Sequence, residues 1–394
     1  MPRGADDHYW EGPALPSVFK HTLLEKYVPQ FAGMTGSKAT ANRVVFLDGY
    51  AGRGRYRDGE PASAERILRI AQRQGTKGTV AWTCYFVELE DESATALARV
   101  VGEYARQGVS ATAHRGPVLG VLGEVVRAAV GYPLFLFLDP CGLGIPYERL
   151  VTLLREERRA VWPPTEVLLN FSLEAVRRIG GHVSSEQGSE TTMRRLDEAV
   201  GSGWWRAAFT GGVTDEAVAA VVSQFVEALG NDSNMNIVPV PVRRAPRQKP
   251  LYHLVFGTRA QHGLWAFGDS VAQATQAWWD TREERTTEED PYRLFPLTQV
   301  ERPSLETIKG RALAEIVANL ERLLQEYPSF RVVDHTTRVF GTYYGQVRET
   351  LVREAIKTLH REGRTPSTGK GPKVRELVVE RPQAEAARRS GISS

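Results

Sequence analysis

Short apolar runs alternate with segments of helical periodicity between residues 43 and 171. Four runs have the length and composition of buried strands, at residues 43–49, 80–89, 133–139 and 166–171, and residues 110–115 form a weaker third strand. Helical segments separate them, at residues 63–74, 91–107, 118–130 and 147–159. Connections of this length join parallel strands by right-handed crossovers. The pattern therefore predicts an α/β fold, in which a doubly wound parallel sheet carries helices on both faces.

The pattern changes on both sides of this region. An N-terminal helix is predicted by apolar residues at helical spacing, namely Phe19, Leu23, Leu24, Tyr27 and Val28. Residues 184–230 are also predicted to be helical. Strands at 237–242 and 251–257 predict a hairpin with a basic, proline-rich tip. We therefore assign residues 1–280 to one Rossmann-like domain that includes the N-terminal helix.

The remaining residues predict a second, smaller unit. Residues 281–303 are charged and contain prolines, and we assign them as a linker. Residues 304–382 contain helical segments followed by a short strand at 374–380, which is typical of a winged-helix-like module. Residues 383–394 are expected to form a disordered tail.

Composition excludes several classes of protein and points weakly to a partner. The 394 residues are 42% hydrophobic and 25% charged, which is ordinary for a folded soluble protein. No apolar stretch reaches membrane-spanning length, and the first residues lack the apolar core of a signal peptide. The two cysteines, Cys84 and Cys141, do not suggest a disulfide framework, so we expect a cytoplasmic protein without a metal site. Residues 331–394 carry a net charge of +6, which is a mild indication of a polyanionic partner.

A glycine-rich turn follows the first predicted strand, in the segment FLDGYAGRGR. Gly49, Gly52 and Gly54 permit a sharp turn and allow a ligand to approach the main chain closely. The next strand ends at Glu88, where doubly wound nucleotide sites place an acid that binds ribose hydroxyls. The alternatives are a tight turn without a ligand and a plain surface carboxylate, and Glu90 could take the place of Glu88.

These segments resemble those of class I S-adenosylmethionine-dependent methyltransferases. FLDGYAGRGRY is similar to the first motif of that family, in the form used by enzymes that methylate amino groups of bases, with Tyr50 in the usual place of Phe. FVELE, LFLFLDPCG and VLLNFS follow in the order of the later motifs. The resemblance implies a sheet of five parallel strands plus an antiparallel hairpin, with S-adenosyl-L-methionine as the cofactor. The implied cofactor-binding residues are Lys20, Asp48, Gly49, Ala51, Gly52, Gly54 and Glu88.

Lys20 and the end of the third strand fit the family pattern less clearly than the other residues do. Lys20 would neutralise the cofactor carboxylate, but a solvated helix lysine is an equal alternative. At the end of the third strand, Gly116 and Pro117 stand where the family often presents an acid to adenine.

About 350 residues also resemble the three-Cys-motif partner protein (TcmP) family, through FKHTLLEKYVPQF, FLDPCG, YHLVFGT and a winged-helix-like end.

The segment after the fourth strand is the predicted catalytic loop. In base N-methyltransferases a polar residue, a proline and an aromatic residue stand here, and the resemblance places Asp139 as the acceptor for the target amino group, followed by Pro140. Cys141 occupies the place of the aromatic residue. It is either a small wall residue or, as in pyrimidine C5-methyltransferases, a nucleophile. Asn170 ends the fifth strand and is a further catalytic candidate, or a helix cap.

Substrate contacts are predicted from aromatic and basic residues. Tyr147, or Phe171, could stack on a base in place of the missing aromatic residue. Arg243 and Arg244 lie in the hairpin tip, and Arg353 and Lys357 lie one turn apart on a predicted C-terminal helix. Cations in such positions could bind the phosphates of nucleic acid, or they could be solvated, and winged helices also bind proteins.

The sequence thus predicts a methyltransferase that modifies a base nitrogen in DNA or RNA. Two alternatives remain open: a C5-methyltransferase that uses Cys141, and a non-catalytic protein that keeps the fold to bind nucleic acid or a protein partner. The sequence does not determine the oligomeric state.

Overall fold

The computed structural model describes residues 14–289 and 302–382. These residues form two compact units. Of the described residues, the first unit contains 14–260 and 273–289, and the second contains 261–272 and 302–382. No helix in these two stretches is both long enough and apolar enough to cross a lipid bilayer.

The first unit is built on a seven-stranded sheet with the strand order β3-β2-β1-β4-β5-β7-β6. Its strands are β1 Arg43–Asp48, β2 Ala81–Glu88, β3 Ser110–Arg115, β4 Leu134–Leu138, β5 Thr165–Ser172, β6 Asn236–Val242 and β7 Tyr252–Thr258. The first five are mutually parallel, and β7 runs antiparallel between β5 and β6. The mixed α/β fold with a mostly parallel central sheet is therefore confirmed.

Eight described helices belong to the first unit, and a ninth, α9, is shared with the second unit. They are α1 Leu15–Thr35, α2 Ser63–Thr76, α3 Asp91–Ala105, α4 Val118–Ala128, α5 Tyr147–Thr152, α6 Leu173–Gly180, α7 Glu190–Val200, α8 Asp215–Ser233 and α9 Gln261–Glu289. The predicted helix at 147–159 is shorter, because a π-helical turn at Leu153–Glu157 follows α5. The predicted helical stretch 184–230 is divided into α7, a 3-10 turn at Gly203–Phe209 and α8.

The core of the first unit lies against the central strands, of which β4 is apolar along its whole length. All five residues of β4 are buried, as expected for a parallel strand with both faces covered. Tyr27 and Phe31 of α1 pack on Phe135 of this strand. The Tyr27 hydroxyl donates a hydrogen bond to buried Glu166 of β5. Burial of apolar and aromatic side chains therefore fixes α1 on the sheet.

The second unit contains three further helices and a two-stranded antiparallel sheet. They are α10 Leu305–Glu326, β8 Ser329–Arg331, α11 Thr336–Phe340, α12 Thr350–Arg361 and β9 Val378–Glu380. Its core includes Ile316, Leu320, Phe330 and Ile356, together with Trp265 from the first part of α9. The helices and the short final strand follow the predicted order, whereas the designation as a winged helix stays a prediction.

The structure differs from the prediction in the predicted linker. Residues 281–289 belong to α9, so the first part of the predicted linker is helical. The first twelve residues of this helix belong to the second unit, since Trp265 is buried in its core. Residues 290–301 of the predicted linker lie outside the described residues. The predicted tail 383–394 lies outside them too.

Candidate functional site

The carboxyl ends of four parallel strands carry polar side chains at one edge of the sheet. Asp48 ends β1, Glu88 ends β2, Asp139 directly follows β4, and Asn170 lies near the end of β5. Because β1 pairs with both β2 and β4, and β4 pairs with β5, these positions are neighbours along the edge. In open α/β sheets this edge is where ligands bind.

Glycine is required in the turn after β1 for steric reasons. A Cβ atom on Gly49 would lie 2.9 Å from side-chain atoms of both Leu138 and Val118, which is too close for any side chain. Gly52 and Gly54 have φ angles of 61° and 79°, a region that other residues rarely adopt. The turn therefore packs tightly on the sheet and presents its main chain at the candidate site.

Main-chain hydrogen bonds tie this turn to the second strand. The Ala51 amide donates to the carbonyl oxygen of Val87 at 2.9 Å. The Gly52 amide donates to Oε2 of Glu88 at 2.9 Å. The other carboxylate oxygen of Glu88 accepts the amide of Glu90 at 2.8 Å. Glu88 is therefore held beside the turn, in the position predicted for it.

Glu90, the alternative to Glu88, has a different role. Its carboxylate caps α3 by accepting the amides of Glu92 and Ser93 at 3.0 and 2.7 Å. These backbone hydrogen bonds lower the pKa of the Glu90 carboxyl group. Glu90 thus caps a helix, whereas Glu88 is bonded to the glycine turn itself, so Glu88 is the better candidate for a ligand contact.

Asp48 is completely buried under the glycine turn. Its Oδ1 accepts the amide of Tyr50 at 3.1 Å, and its Oδ2 accepts the hydroxyl of Ser63 at 2.9 Å. Burial raises the pKa of Asp48 to about 7, while the two hydrogen bonds act in the opposite direction. A positively charged ligand at this edge would favour the ionised form.

Asp139 lies at the centre of a buried polar cluster. Lys20 of α1 forms an ion pair with its Oδ2, and both side chains are largely buried. The side-chain amide of Asn170 donates to its Oδ1 at 2.8 Å. The charge of Asp139 also contributes to the raised pKa of Asp48, so the two carboxyl groups belong to one site. Lys20 is thus not a solvated helix lysine, and it contacts the predicted catalytic acid.

The other residues of the predicted catalytic loop are Pro140 and Cys141. Pro140 is buried, whereas Cys141 is exposed. Desolvation, and then the negative charge of Asp139, raise the pKa of the Cys141 thiol. A nucleophilic cysteine needs the opposite, a lowered pKa or an adjacent base. This environment counts against Cys141 as the nucleophile.

The predicted stacking role of Tyr147 needs correction. Its ring is buried in the core and lies 6.1 Å from the ring of Phe225. Its hydroxyl donates to Asp232 at 2.6 Å, which satisfies the polar end of the side chain. The alternative, Phe171, is buried and stacks on Phe225 with ring centroids 4.4 Å apart. Both rings are buried in the hydrophobic core, so neither has a free face on which a base could stack.

The residues predicted to contact phosphate differ in their exposure and in the groups they already bind. Arg243 is half-buried, and Arg244 is exposed and lies 3.6 Å from the carboxylate of Glu174. Arg353, in the second unit, donates to the carbonyl oxygens of Gly369 and Gly371 at 2.6 and 2.8 Å. These bonds use two of the five donors of its guanidinium group to hold a loop, and its role as a substrate contact stays a prediction.

The remaining predicted phosphate contact of this helix is Lys357. It is exposed on α12, so its ammonium group stays available for a phosphate.

Sequence reasoning missed two exposed leucines at the same edge as Glu88. Leu89 follows β2 and is 68% exposed, and Leu119 in the first turn of α4 is 45% exposed. The ends of β2 and β3 are joined by a hydrogen bond from the Gly116 amide to the Glu88 carbonyl oxygen at 2.9 Å. The positions of these two leucines, directly after β2 and after the end of β3, could have been noticed in the sequence.

No protein-family model and no curated protein matches this chain. Several solved structures align with part of it. Cofactor-bound Rv0187 from MTB is 14% identical, with a TM-score of 0.31 over 60% of this chain and 79% of that chain. A proposed class I S-adenosylmethionine-dependent methyltransferase from Listeria monocytogenes is 13% identical, with a TM-score of 0.30 over 65% and 63% of the two chains.

A proposed O-methyltransferase from Klebsiella pneumoniae is 14% identical, with a TM-score of 0.30 over 63% of this chain and 91% of that chain. Similarities at this level assign no activity to the chain. Any functional conclusion therefore rests on the residues of the site.

Proposed function

We propose that this protein is an S-adenosylmethionine-dependent methyltransferase of the TcmP type that modifies a base nitrogen in nucleic acid. The observation that carries the proposal is the Asp139 carboxylate, held by Lys20 and Asn170 at the strand edge beside the glycine turn. A buried carboxylate fixed from two sides is a preorganised acceptor for the N–H groups of a substrate.

Several features support S-adenosylmethionine as the ligand of the glycine turn. The cofactor has a cationic sulfonium and amino group, ribose hydroxyls and an aromatic adenine ring. Glu88 offers a carboxylate for the hydroxyl groups, the turn offers its main chain, and the buried carboxyl group of Asp48 would supply negative charge beneath the turn. Leu89 and Leu119 offer exposed apolar surface for the ring. The residues present therefore fit the parts of this cofactor.

Asp139 would orient the target nitrogen. When bound, the cofactor supplies an electrophilic methyl group on its sulfur. The Asp139 carboxylate would accept an N–H of the substrate amino group and direct the nitrogen lone pair away from itself. Lys20 would hold one oxygen of this carboxylate in position, and Asn170 would hold the other. Positioning of this kind supplies much of the acceleration in a group transfer.

Nucleic acid is the proposed substrate because cations occur near the crevice and in the second unit. Arg243 and Arg244 lie in the loop between β6 and β7. Lys357 and Arg361 are exposed one turn apart on α12. The +6 charge of residues 331–394 would favour a polyanion in the same way.

Transfer of a labelled methyl group from S-adenosylmethionine to DNA or RNA tests this proposal. We expect Asp139→Ala to lower the rate by about two to three orders of magnitude, because it removes the acceptor and misplacement of the amine is costly in an orientation-driven step. Cys141→Ala should remain within about tenfold of the wild type, because that residue only forms a wall. Thermal unfolding of each variant controls for loss of the fold.

Three results would contradict the proposal in different ways. An inactive Cys141→Ala variant that still binds the cofactor would favour C5 methylation. So would a 5-fluoropyrimidine adduct that survives denaturing electrophoresis. Failure of the wild-type protein to bind S-adenosylmethionine in calorimetry would favour a non-catalytic binding protein.

A further inference from the structure

A basic groove lies on the surface of the first unit, between α1 and α2. It has a volume of about 400 Å³, and its charged lining residues are Glu25, Lys26, Glu60, Arg66, Arg69 and Arg73. Four basic and two acidic residues give this lining a net charge of +2. We call it the arginine groove. Its volume and its concentration of arginines are suited to anionic groups.

The α2 wall of the groove is a row of arginines. Arg66, Arg69 and Arg73 lie on one face of the helix, because residues three and four positions apart are neighbours on a helix surface. At a rise of about 1.5 Å per residue, the row extends roughly 10 Å along the helix axis. A single phosphate would contact only part of such a row, whereas a chain of phosphates could follow it.

Two of these arginines are already held in place. Arg66 donates through Nε to the carbonyl oxygen of Pro61 at 2.8 Å and through Nη1 to Glu25 at 2.7 Å. Arg69 donates through Nη2 to buried Glu65 at 3.0 Å. Each guanidinium group has five N–H donors, so these bonds fix its position without using its full capacity. A fixed arginine loses less conformational entropy on binding than a mobile one.

The groove begins beside the candidate site. Pro61, in its lining, precedes Ala62, whose amide donates to the carbonyl oxygen of Gly54 in the glycine turn at 3.1 Å. Ser63, the first residue of α2, donates to Asp48. The row of arginines therefore starts within two turns of the residues proposed to bind the cofactor and runs away from them along α2.

We propose that the arginine groove binds phosphates of a nucleic acid strand, next to the nucleotide whose base enters the site. This inference rests on the proposed function, since it identifies how the same site would hold its substrate. The length of the row favours a strand over a free phosphate compound. Phosphate contacts of this kind position a nucleic acid without reading its sequence.

The test uses two double variants of the full chain with the same change in charge. Lys26→Gln/Arg73→Gln removes two exposed cations of the groove that hold no other element in place. Arg99→Gln/Arg106→Gln, called the α3 variant, removes two exposed cations that do not line the groove, one on α3 and one directly after it. Binding of a fluorescent single-stranded oligonucleotide, as DNA and as RNA, is measured by anisotropy over a series of salt concentrations.

We expect the groove variant to bind about 3- to 10-fold more weakly at low salt, since each exposed ion pair contributes modestly. It should also lower the slope of log affinity against log salt by about 1.4, which corresponds to two phosphate contacts on a single strand. The α3 variant should behave like the wild type. Inorganic pyrophosphate should compete only weakly, because it spans a small part of the row.

Other outcomes would overturn the inference. Equal effects of the two double variants would mean that only the total charge matters. Strong competition by pyrophosphate, or no oligonucleotide binding by the wild type, would exclude a strand as the occupant of the groove. Cofactor calorimetry and methyl transfer are measured in parallel. If the groove variant binds the strand with wild-type affinity and also methylates normally, the groove is not the strand-binding site, and the proposed function is unaffected.

Discussion

Replacement of Asp48 by Asn should stabilise the protein and weaken cofactor binding at the same time. Asp48 is fully buried, with hydrogen bonds from the Tyr50 amide and the Ser63 hydroxyl. An Asn side chain can keep both contacts, because its oxygen accepts the amide and its nitrogen donates to the serine oxygen. The substitution therefore removes the buried negative charge with little change in shape.

The size of the stability change follows from the difference between the pKa of Asp48 in the folded protein and in the unfolded chain. Burial raises the pKa of Asp48 from 3.8 to about 7, so the folded protein holds this proton more tightly than the unfolded chain. The wild type therefore loses stability as the pH rises from about 4 to about 7, and the loss is complete above that range. Three pH units correspond to about 4 kcal/mol at full ionisation.

Urea unfolding of the wild type and of Asp48→Asn between pH 5 and pH 8 measures this effect. The stability advantage of the variant should be about 2–3 kcal/mol larger at pH 8 than at pH 5. At pH 8 its melting temperature should be higher by roughly 5–15 °C. Calorimetry with S-adenosylmethionine should show binding weakened by about tenfold or more, because the negative charge beneath the turn that would attract the cationic cofactor is lost.

Glu166→Gln provides a matched control. Glu166 is also buried, accepts hydrogen bonds from Tyr27 and Thr258, and has its pKa raised by burial to about 7. Its replacement should stabilise the protein at pH 8 in the same way but leave cofactor affinity unchanged. A stability difference between Asp48→Asn and the wild type that does not vary with pH would refute the reasoning. Unchanged cofactor affinity would remove Asp48 from the site.

Two further predictions concern the turn and the second unit. Glu88→Gln should weaken S-adenosylmethionine binding in calorimetry by about tenfold. Both carboxylate oxygens of Glu88 accept backbone amides, and the amide nitrogen of Gln cannot do so. Wild-type affinity in this variant would exclude Glu88 from the cofactor site. Arg353→Gln should speed amide hydrogen exchange around Gly369 and Gly371 and lower stability by about 1–2 kcal/mol, because their carbonyl oxygens lose a cationic donor. The exposed Lys357→Gln variant should change neither quantity, and equal exchange in both variants would contradict the assignment.

Local sequence was sufficient to locate the strands and the candidate site. Apolar runs predicted β1, β2, β4 and β5 within a few residues, because parallel strands covered on both faces are mostly apolar, whereas the partly exposed β3 gave a weaker pattern. Asp48, Glu88, Asp139 and Asn170 follow from this, since the carboxyl ends of parallel strands share one edge. The glycine turn was also visible, because its backbone angles and its packing admit no side chain.

The sequence could not determine which distant side chains meet. Lys20 and Asp139 are 119 positions apart, and only the packing of α1 on the sheet brings them together. Tyr147 was expected to be accessible, but its apolar ring is used by the core and its hydroxyl by Asp232. Arg353 was expected to contact phosphate, and the structure shows that it also binds the carbonyl oxygens of a loop.

The physical reason is the range of the interactions involved. Strand and turn positions depend on periodicity and backbone sterics, which act between near neighbours in the chain. Side-chain pairing and burial depend on how the completed elements pack, so they bring together residues with no relation in sequence. The sequence by itself determined the strands, the glycine turn and the acids at the strand ends of this protein. Only the tertiary structure decided that Lys20 pairs with Asp139, that Tyr147 is buried and that arginines of α2 line a groove beside the turn.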